Sequence, residues 1–276
     1  KPIITQKIEL EEIKKRFGGE ISELVERINH LSKIRYSLLL NIKEKKSFTK
    51  DRLENLRKMF IALAGDLTVI LIELVSRLDG LYHLKFLPDE HQKLYAIETL
   101  EIFAPVANRL GLGQIKRKLE DVSFFYLSAE KYRQVENLAK QKYDEREKYL
   151  KKFIPKLRKV FKKERIAVKE IIYRAKSYWS LYQKLLRKNM DIEKIHDLFA
   201  IRVIVSDIPA SYKALGIIHK YFKPISEELN DYIAKPKQNG YRSLHTTVFL
   251  EPNKISEIQI RTAKMHKEAE FGICAH

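Results

Sequence analysis

Cysteine is almost absent from this 276-residue chain: Cys274 stands alone, so neither an intramolecular disulfide nor a thiolate zinc cluster can form. A reducing compartment fits that count, and cytosolic residence is expected. Long apolar runs are lacking as well. The longest, around Leu67 to Val75, is interrupted by Thr68 and Glu73 and is too short to cross a bilayer, so no integral membrane protein is expected. No charged-then-apolar secretory leader opens the chain, which starts without Met. With nine glycines and eight prolines the sequence is poor in loop formers, and it shows no repeat or low-complexity tract, which argues against disorder. Acidic residues are in deficit: 36 Asp and Glu face 54 Lys and Arg, a net charge of +18. Such a surplus favours polyanionic partners, although a solvated basic surface produces the same count.

What is present is 45% hydrophobic and 33% charged, enough for a sizeable core, and the length suggests two domains or one with a helical annex. Residues 9–29 carry Ile13, Phe17, Ile21, Leu24, Val25 and Ile28 at helical spacing, and Glu54 to Leu84 repeats the pattern more densely. Pro88 punctuates it, and Gln92 to Leu110 resumes a helical period that ends at Gly111 and Gly113. From Glu120 to Lys163 the chain reads as a long charged helix with Pro155 inside and little deep burial beyond Phe124, Phe125 and Tyr126, hence a connector. Its run of Lys151, Lys152, Lys156, Arg158, Lys159, Lys162, Lys163 and Arg165 reads as a solvated face in preference to an RNA contact.

Beyond Lys163 the period changes. Ala200 to Val205 reads as a strand, Ser211 to Phe222 as a short helix, and His245 to Leu250 and Ser256 to Arg261 as strands joined into an antiparallel hairpin by Glu251-Pro252-Asn253-Lys254. Period-two alternation puts Ile258 and Ile260 on one face and Glu257, Gln259 and Arg261 on the other. The fold class expected is α+β: an all-α domain over 1–95, a helical connector over 96–152, and strands flanked by helices over 153–276, which the family resemblance described below implies form a mixed β-sheet.

Three constellations carry chemistry. The stretch Asp231 to Thr247 holds Lys235, Lys237, Arg242, an Asn239-Gly240 turn and the tyrosines Tyr232 and Tyr241, a loop suited to something anionic and flat, such as a purine nucleotide. Lys176, Ser180 and Lys184 recur every four residues, as on one helical face, with Trp179, Tyr182 and Leu186 placed to pack behind; an ordinary amphipathic helix shows the same spacing. Asp197 stands just before a strand and Glu257 on the polar face of another, so two carboxylates can meet at one metal; a strand cap and a solvent-facing strand residue are the plainer alternatives.

The string Asp231-Tyr232-Ile233-Ala234-Lys235-Pro236-Lys237-Gln238-Asn239-Gly240-Tyr241-Arg242-Ser243-Leu244-His245-Thr246-Thr247 resembles the G-loop of RelA/SpoT synthetase domains, D-Y-I-A-x-P-K-x-N-G-Y-x-S-x-H-T-T, at every fixed letter. Arg174 to Ser177, Asp197 to Arg202, Glu257 to Thr262 and Met265 to Glu270 resemble the surrounding family segments in order, and Leu56 to Met59, Glu98 to Pro105 and Asn108 to Gly111 extend the likeness into the helical part. The resemblance implies an HD-like helical domain followed by a nucleotidyltransferase-like synthetase domain. It implies transfer of pyrophosphate from ATP to the 3′-hydroxyl of GDP or GTP with Mg²⁺. It assigns Asp197 as metal ligand and Glu257 as metal ligand or base. Arg174 is implied to stack on adenine, and Lys176, Ser180 and Lys184 to contact the ATP phosphates. In the acceptor site it implies Tyr241 on guanine, Asn239 and Gln259 as hydrogen-bonding groups, and Lys237 and His245 near phosphates or ribose; His245 read by itself fits a satisfied strand histidine equally.

The same resemblance predicts what the helical half lacks. Family hydrolase domains carry A-D-R-x-H-N where this chain reads Val75-Ser76-Arg77-Leu78-Asp79-Gly80, so a metal-binding Asp is replaced by Ser76 and an Asn by Gly80. The only His-Asp adjacency, His196-Asp197, precedes a strand and reads as the synthetase aspartate. A degenerate hydrolase domain is therefore expected; a bifunctional enzyme and a catalytically silent RNA-binding scaffold are the rivals. Glu228-Leu229-Asn230 matches neither the basic nor the full acidic family form of this segment, which leaves metal preference open. Contacts to ribosome or tRNA are expected to involve regions outside this chain.

Overall fold

In the computed structural model, residues 9–30, 54, 58, 66–195, 197–251 and 254–275 are described. Most of the helical period expected over 54–65, including Leu56, Arg57 and Met59, falls outside them, as does His196. The chain divides into two compact units, one of residues 1–107 with 118–123 and one of residues 108–117 with 124–276.

The first unit is helical. Helix Leu10–Phe17 ends at Gly18, whose φ of +89° breaks the period, and residues 19–30 resume it. Helix Leu67–Tyr82 starts where Asp66 accepts a hydrogen bond from the Thr68 amide at 2.7 Å. It buries Val69, Ile70, Glu73, Leu74, Arg77 and Leu81 at the spacing of one helical face. Helix Asp89–Glu98 follows Pro88 and continues through a π-helical turn, Thr99–Phe103, into Ala104–Arg109. Arg77 is the polar centre of this unit. Its guanidinium meets Glu98 at 2.6 Å with the two side chains 2% and 5% exposed, donates to Thr99 Oγ1 at 2.7 Å, and stacks between the rings of Tyr95 and Phe103 at 3.4 and 4.5 Å.

The second unit is α+β around a mixed five-stranded sheet of order β1-β2-β5-β4-β3. The strands are β1 (Val168–Ala175), β2 (Phe199–Val205), β3 (Asn230–Asp231), β4 (Leu244–Glu251) and β5 (Lys254–Thr262). β2 and β5 run parallel, and the remaining neighbours are antiparallel, including the expected β4–β5 hairpin. One sheet face is apolar: Ile201, Val203, Val205, Ile258 and Ile260 pack with Leu157, Phe161, Ile217 and Ile218 in one cluster. The helix expected from Ser211 begins earlier, at Ile208, because Asp207 caps it through the Ala210 amide and Pro209 fits its first turn.

Two expectations need correction. The stretch read as a thinly buried connector contains one continuous 35-residue helix, Ala129–Lys163, started by the Ser128 cap, and it buries Val135, Ala139, Leu150, Phe153, Leu157 and Phe161 in the core of the second unit, whereas Phe125 is 40% exposed. The apolar stripe is real, but it is interleaved with so much charge that composition hides it. Pro155 lies on the exposed side of the helix. The helix Tyr178–Arg187 begins after Lys176, with Ser177 as its cap, so Lys176 is not on the helical face shared by Ser180 and Lys184; Leu181, Tyr182 and Leu185 are buried, and Leu186 is 51% exposed.

A core role for the long helix has a measurable consequence. Leu157→Ala should cost about 2–5 kcal/mol in denaturant unfolding, while Lys159→Ala on the exposed face should cost little.

Candidate active site

The polar face of the sheet is assembled by the parallel pairing of β2 and β5, in which Ala200 lies opposite Glu257 and Arg202 opposite Gln259. Asp197, two residues before β2, therefore comes near Glu257, and each is close enough to feel the other's charge. Lys176, just after β1, and Lys184, on the following helix, both donate through Nζ to Asp197 Oδ2. Burial alone would raise the Asp197 pKa, but the two ammonium groups outweigh it and hold the carboxyl below its ordinary range. Burial lowers the pKa of Lys176, with the charge of Lys184 adding to the effect, whereas for Lys184 the Asp197 hydrogen bond and charge overcome burial and raise it.

Glu257 is fixed from both sides. Oε1 lies 2.8 Å from His245 Nδ1, and Oε2 accepts from Gln259 Nε2 at 3.0 Å. Burial works against its charge, yet the His245 hydrogen bond and the other polar contacts bring its pKa below the usual glutamate range. An ionised Glu257 only accepts, so His245 Nδ1 is the donor, and in a neutral ring Nε2 then accepts from the Tyr241 hydroxyl 2.8 Å away. On the other side, Gln259 Oε1 accepts from Arg202 Nε at 3.1 Å, and Arg202 Nη1 donates to Glu270 at 3.0 Å.

The loop after β3 is shaped by Asp231, whose Oδ1 accepts the amides of Ile233 and Ala234 at 2.9 and 2.8 Å. Gly240 takes φ +76°, the conformation anticipated from Asn-Gly, and closes a turn onto the Lys237 carbonyl at 2.8 Å. Asn239 accepts from the Tyr241 amide at 3.3 Å and donates to the Asn108 carbonyl at 3.0 Å. Lys237 Nζ sits 4.3 Å from the Tyr232 ring centre and 5.4 Å from that of Tyr241. A cavity of about 830 Å³ is lined by Ser180, Asn239 and Tyr241 together with Lys116, Lys264 and Glu268. It thus joins one residue expected at the donor nucleotide with two expected at the acceptor.

Arg174 carries a partner that the sequence does not announce. Glu270 accepts from Arg174 at 3.3 Å, Arg202 at 3.0 Å and Arg117 at 2.7 Å. Arg261, on β5, is fully buried next to the Tyr241 ring, 5.8 Å from its centre. Arg202, Glu270 and Arg261 all lie inside segments that resemble the family, so their importance had a signal although their roles did not. Arg117 had none.

The oxygen donors of Asp197, just before β2, and Glu257, on the parallel neighbour β5, suit a hard divalent cation shared with substrate phosphates, and the two ammonium groups on Asp197 Oδ2 already sit where positive charge is favoured. Among the described residues no group of three or more His, Cys, Asp or Glu is placed to hold a metal.

The depressed Asp197 pKa has a defined sign. The stability it contributes is complete above the unfolded value of 3.8 and is lost as pH falls through the lower, folded value. The melting-temperature gap between wild type and Asp197→Asn should therefore be widest near neutral pH and narrow below about pH 4.

Residues 173–276 match the region found in RelA/SpoT proteins, and residues 2–113 match the HD domain. The guanosine-3′,5′-bis(diphosphate) 3′-pyrophosphohydrolase of Aquifex aeolicus is 43% identical over 96% of this chain and 36% of its own length. The GTP pyrophosphokinase of Myxococcus xanthus is 40% identical over 96% of this chain and 34% of its own length. This chain thus spans about a third of the length of the curated relatives it matches. Among solved structures, the small alarmone synthetase 2 of Bacillus subtilis is 30% identical, covering 42% of this chain and 68% of that one, with a TM-score of 0.36. With both regions matched in order and the relatives aligned along nearly the whole sequence, the chain belongs to the RelA/SpoT family.

Proposed function

We propose that this chain is a pyrophosphokinase, transferring pyrophosphate from ATP to the 3′-hydroxyl of GDP or GTP to give ppGpp or pppGpp. The observation that carries the reading is Glu257: a carboxylate kept ionised between His245 and Gln259, one strand away from an aspartate neutralised by two lysines. Phosphoryl transfer asks little covalent work of a protein and much positioning and charge compensation. Glu257 accepts the 3′-hydroxyl proton. The 3′-oxygen bonds to the β-phosphorus of ATP while the bond from that phosphorus to the α,β-bridging oxygen breaks, and AMP leaves with that oxygen. Lys176, Lys184 and Ser180 hold the donor phosphates, and Arg174 lies against the adenine. Tyr241 stacks on guanine, supported by Lys237 and by the hydrogen-bonding capacity left on Asn239. His245 and Gln259 act at the acceptor side mainly through Glu257. Mg²⁺, held by Asp197 and Glu257, would offset charge on the phosphates. A reaction on free ATP and guanine nucleotides belongs in the cytosol.

The helical unit admits a second reading, since relatives carry the names of both activities. Two residues support the synthesis-only reading. Ser76 offers no carboxylate where the family places a metal-binding Asp. At Gly80 a Cβ would lie 2.2 Å from the Tyr95 hydroxyl, and that ring is held by the Arg77 stack and a 3.3 Å hydrogen bond to the Arg77 carbonyl, so the family's Asn would require the ring to shift. We infer a hydrolase unit that is silent and retained for support.

Incubation with ATP, GDP and Mg²⁺ followed by separation of products tests the synthesis. Glu257→Gln should lower the rate by roughly 10²–10⁴-fold, as for loss of a positioned base, with little change in melting temperature; synthesis at the wild-type rate would end the assignment. Purified chain given ppGpp and Mn²⁺ should release no pyrophosphate beyond a mock preparation, and Ser76→Asp alone should not restore release.

A further inference from the structure

The long helix reaches the loop that carries Lys176. Tyr143, at the middle of that helix, donates its hydroxyl to the main-chain carbonyl of Lys176 at 2.6 Å. Its ring lies parallel to that of Tyr178, 6.1 Å between centres and 6° between planes, and meets Phe199 edge-on at 5.2 Å. One phenol therefore touches the residue that follows β1, the first residue of the next helix and the first residue of β2. The turn between β1 and that helix consists of Lys176 and Ser177 alone. Its other fixed points are the Lys176 amide, which donates to the Leu198 carbonyl at 2.9 Å, and the Lys176 ammonium on Asp197.

The direction in which Lys176 leaves the backbone depends on the orientation of the peptide that follows it, and Tyr143 is what holds that peptide's carbonyl. We propose that Tyr143 is a positioning residue for the donor-nucleotide loop, setting the approach of Lys176 to the ATP phosphates through its bond to the Lys176 carbonyl. Tyr143 acts here through the main chain of Lys176. It lies 33 residues before Lys176 and outside the region matched at 173–276, so the donor site extends into the long helix. Without the hydroxyl, a partly buried carbonyl loses its donor and the peptide is free to rotate, and small misplacements of a charge-compensating group are costly in phosphoryl transfer. The proposal rests on the reading of Lys176 as a phosphate ligand.

Tyr143→Phe keeps the ring, its packing and its volume. A non-hydrolysable ATP analogue with Mg²⁺ is titrated calorimetrically into wild type and variant, and KM is measured for ATP and for GDP with the other substrate saturating. The variant should bind the analogue about five- to ten-fold more weakly, the loss expected for one hydrogen bond of ordinary strength. KM for ATP should rise by a similar factor while KM for GDP and the melting temperature stay close to wild type. Wild-type binding with an unchanged variant, or an equal rise in both KM values, overturns the positioning role alone. A wild-type chain that binds no analogue overturns the donor-site reading and this proposal with it.

Discussion

The pairing of β2 with β5 is the constraint from which the site follows. It is the one parallel contact in the sheet, and its register sets Ala200 against Glu257 and Arg202 against Gln259. Side chains alternate along both strands, so this single registration sends Glu257, Gln259 and Arg202 to the polar face and Ile201, Val203, Ile258 and Ile260 to the core. A slip of one residue would exchange the two sets, burying the charges and exposing the isoleucines. The core therefore enforces the site: the same apolar packing that stabilises the sheet makes any other arrangement of the carboxylates costly.

Across that face the polar groups form one connected line, from Tyr241 through His245, Glu257, Gln259 and Arg202 to Glu270 and Arg174. It crosses the sheet from the residues read as acceptor-binding to those read as donor-binding. Its charge is unevenly distributed. Arg117, Arg174 and Arg202 share Glu270, and Arg261 lies close enough to add to the crowding, so burial and the neighbouring guanidinium lower the Arg202 pKa to about 10. Arg202 still carries its proton at neutral pH, and the cluster keeps a positive surplus in a half-buried setting, which a polyphosphate would relieve.

Much of this was legible in the sequence for a definite reason. The hairpin, the alternation at Glu257 to Arg261, the Asn239-Gly240 turn and the position of Asp197 before a strand are local patterns, and local geometry alone determines them. What escaped was set by partners distant in sequence. The buried stripe of the 129–163 helix was masked by its lysines and glutamates. Glu270 could not be read as the shared acceptor of three arginines, because Arg117, Arg174 and Arg202 come from separate elements. Lys176 lies at helical spacing from Ser180 and Lys184 yet precedes the helix; it still reaches Asp197 beside Lys184, because the β1 exit and the helix converge there. Spacing suggested the meeting for the wrong geometric reason.

The absence of a side chain at position 80 is matched to the ring that packs over it. Any residue there other than glycine would collide with the Tyr95 hydroxyl, and Tyr95 is itself locked against Arg77, which is paired with Glu98. A side chain at position 80 would thus require the Tyr95 ring to shift, and with it a stacking partner of a buried arginine. The small residue and the ring are therefore coupled: the space one leaves is the space the other fills, and a change at either is felt by the buried Arg77–Glu98 pair.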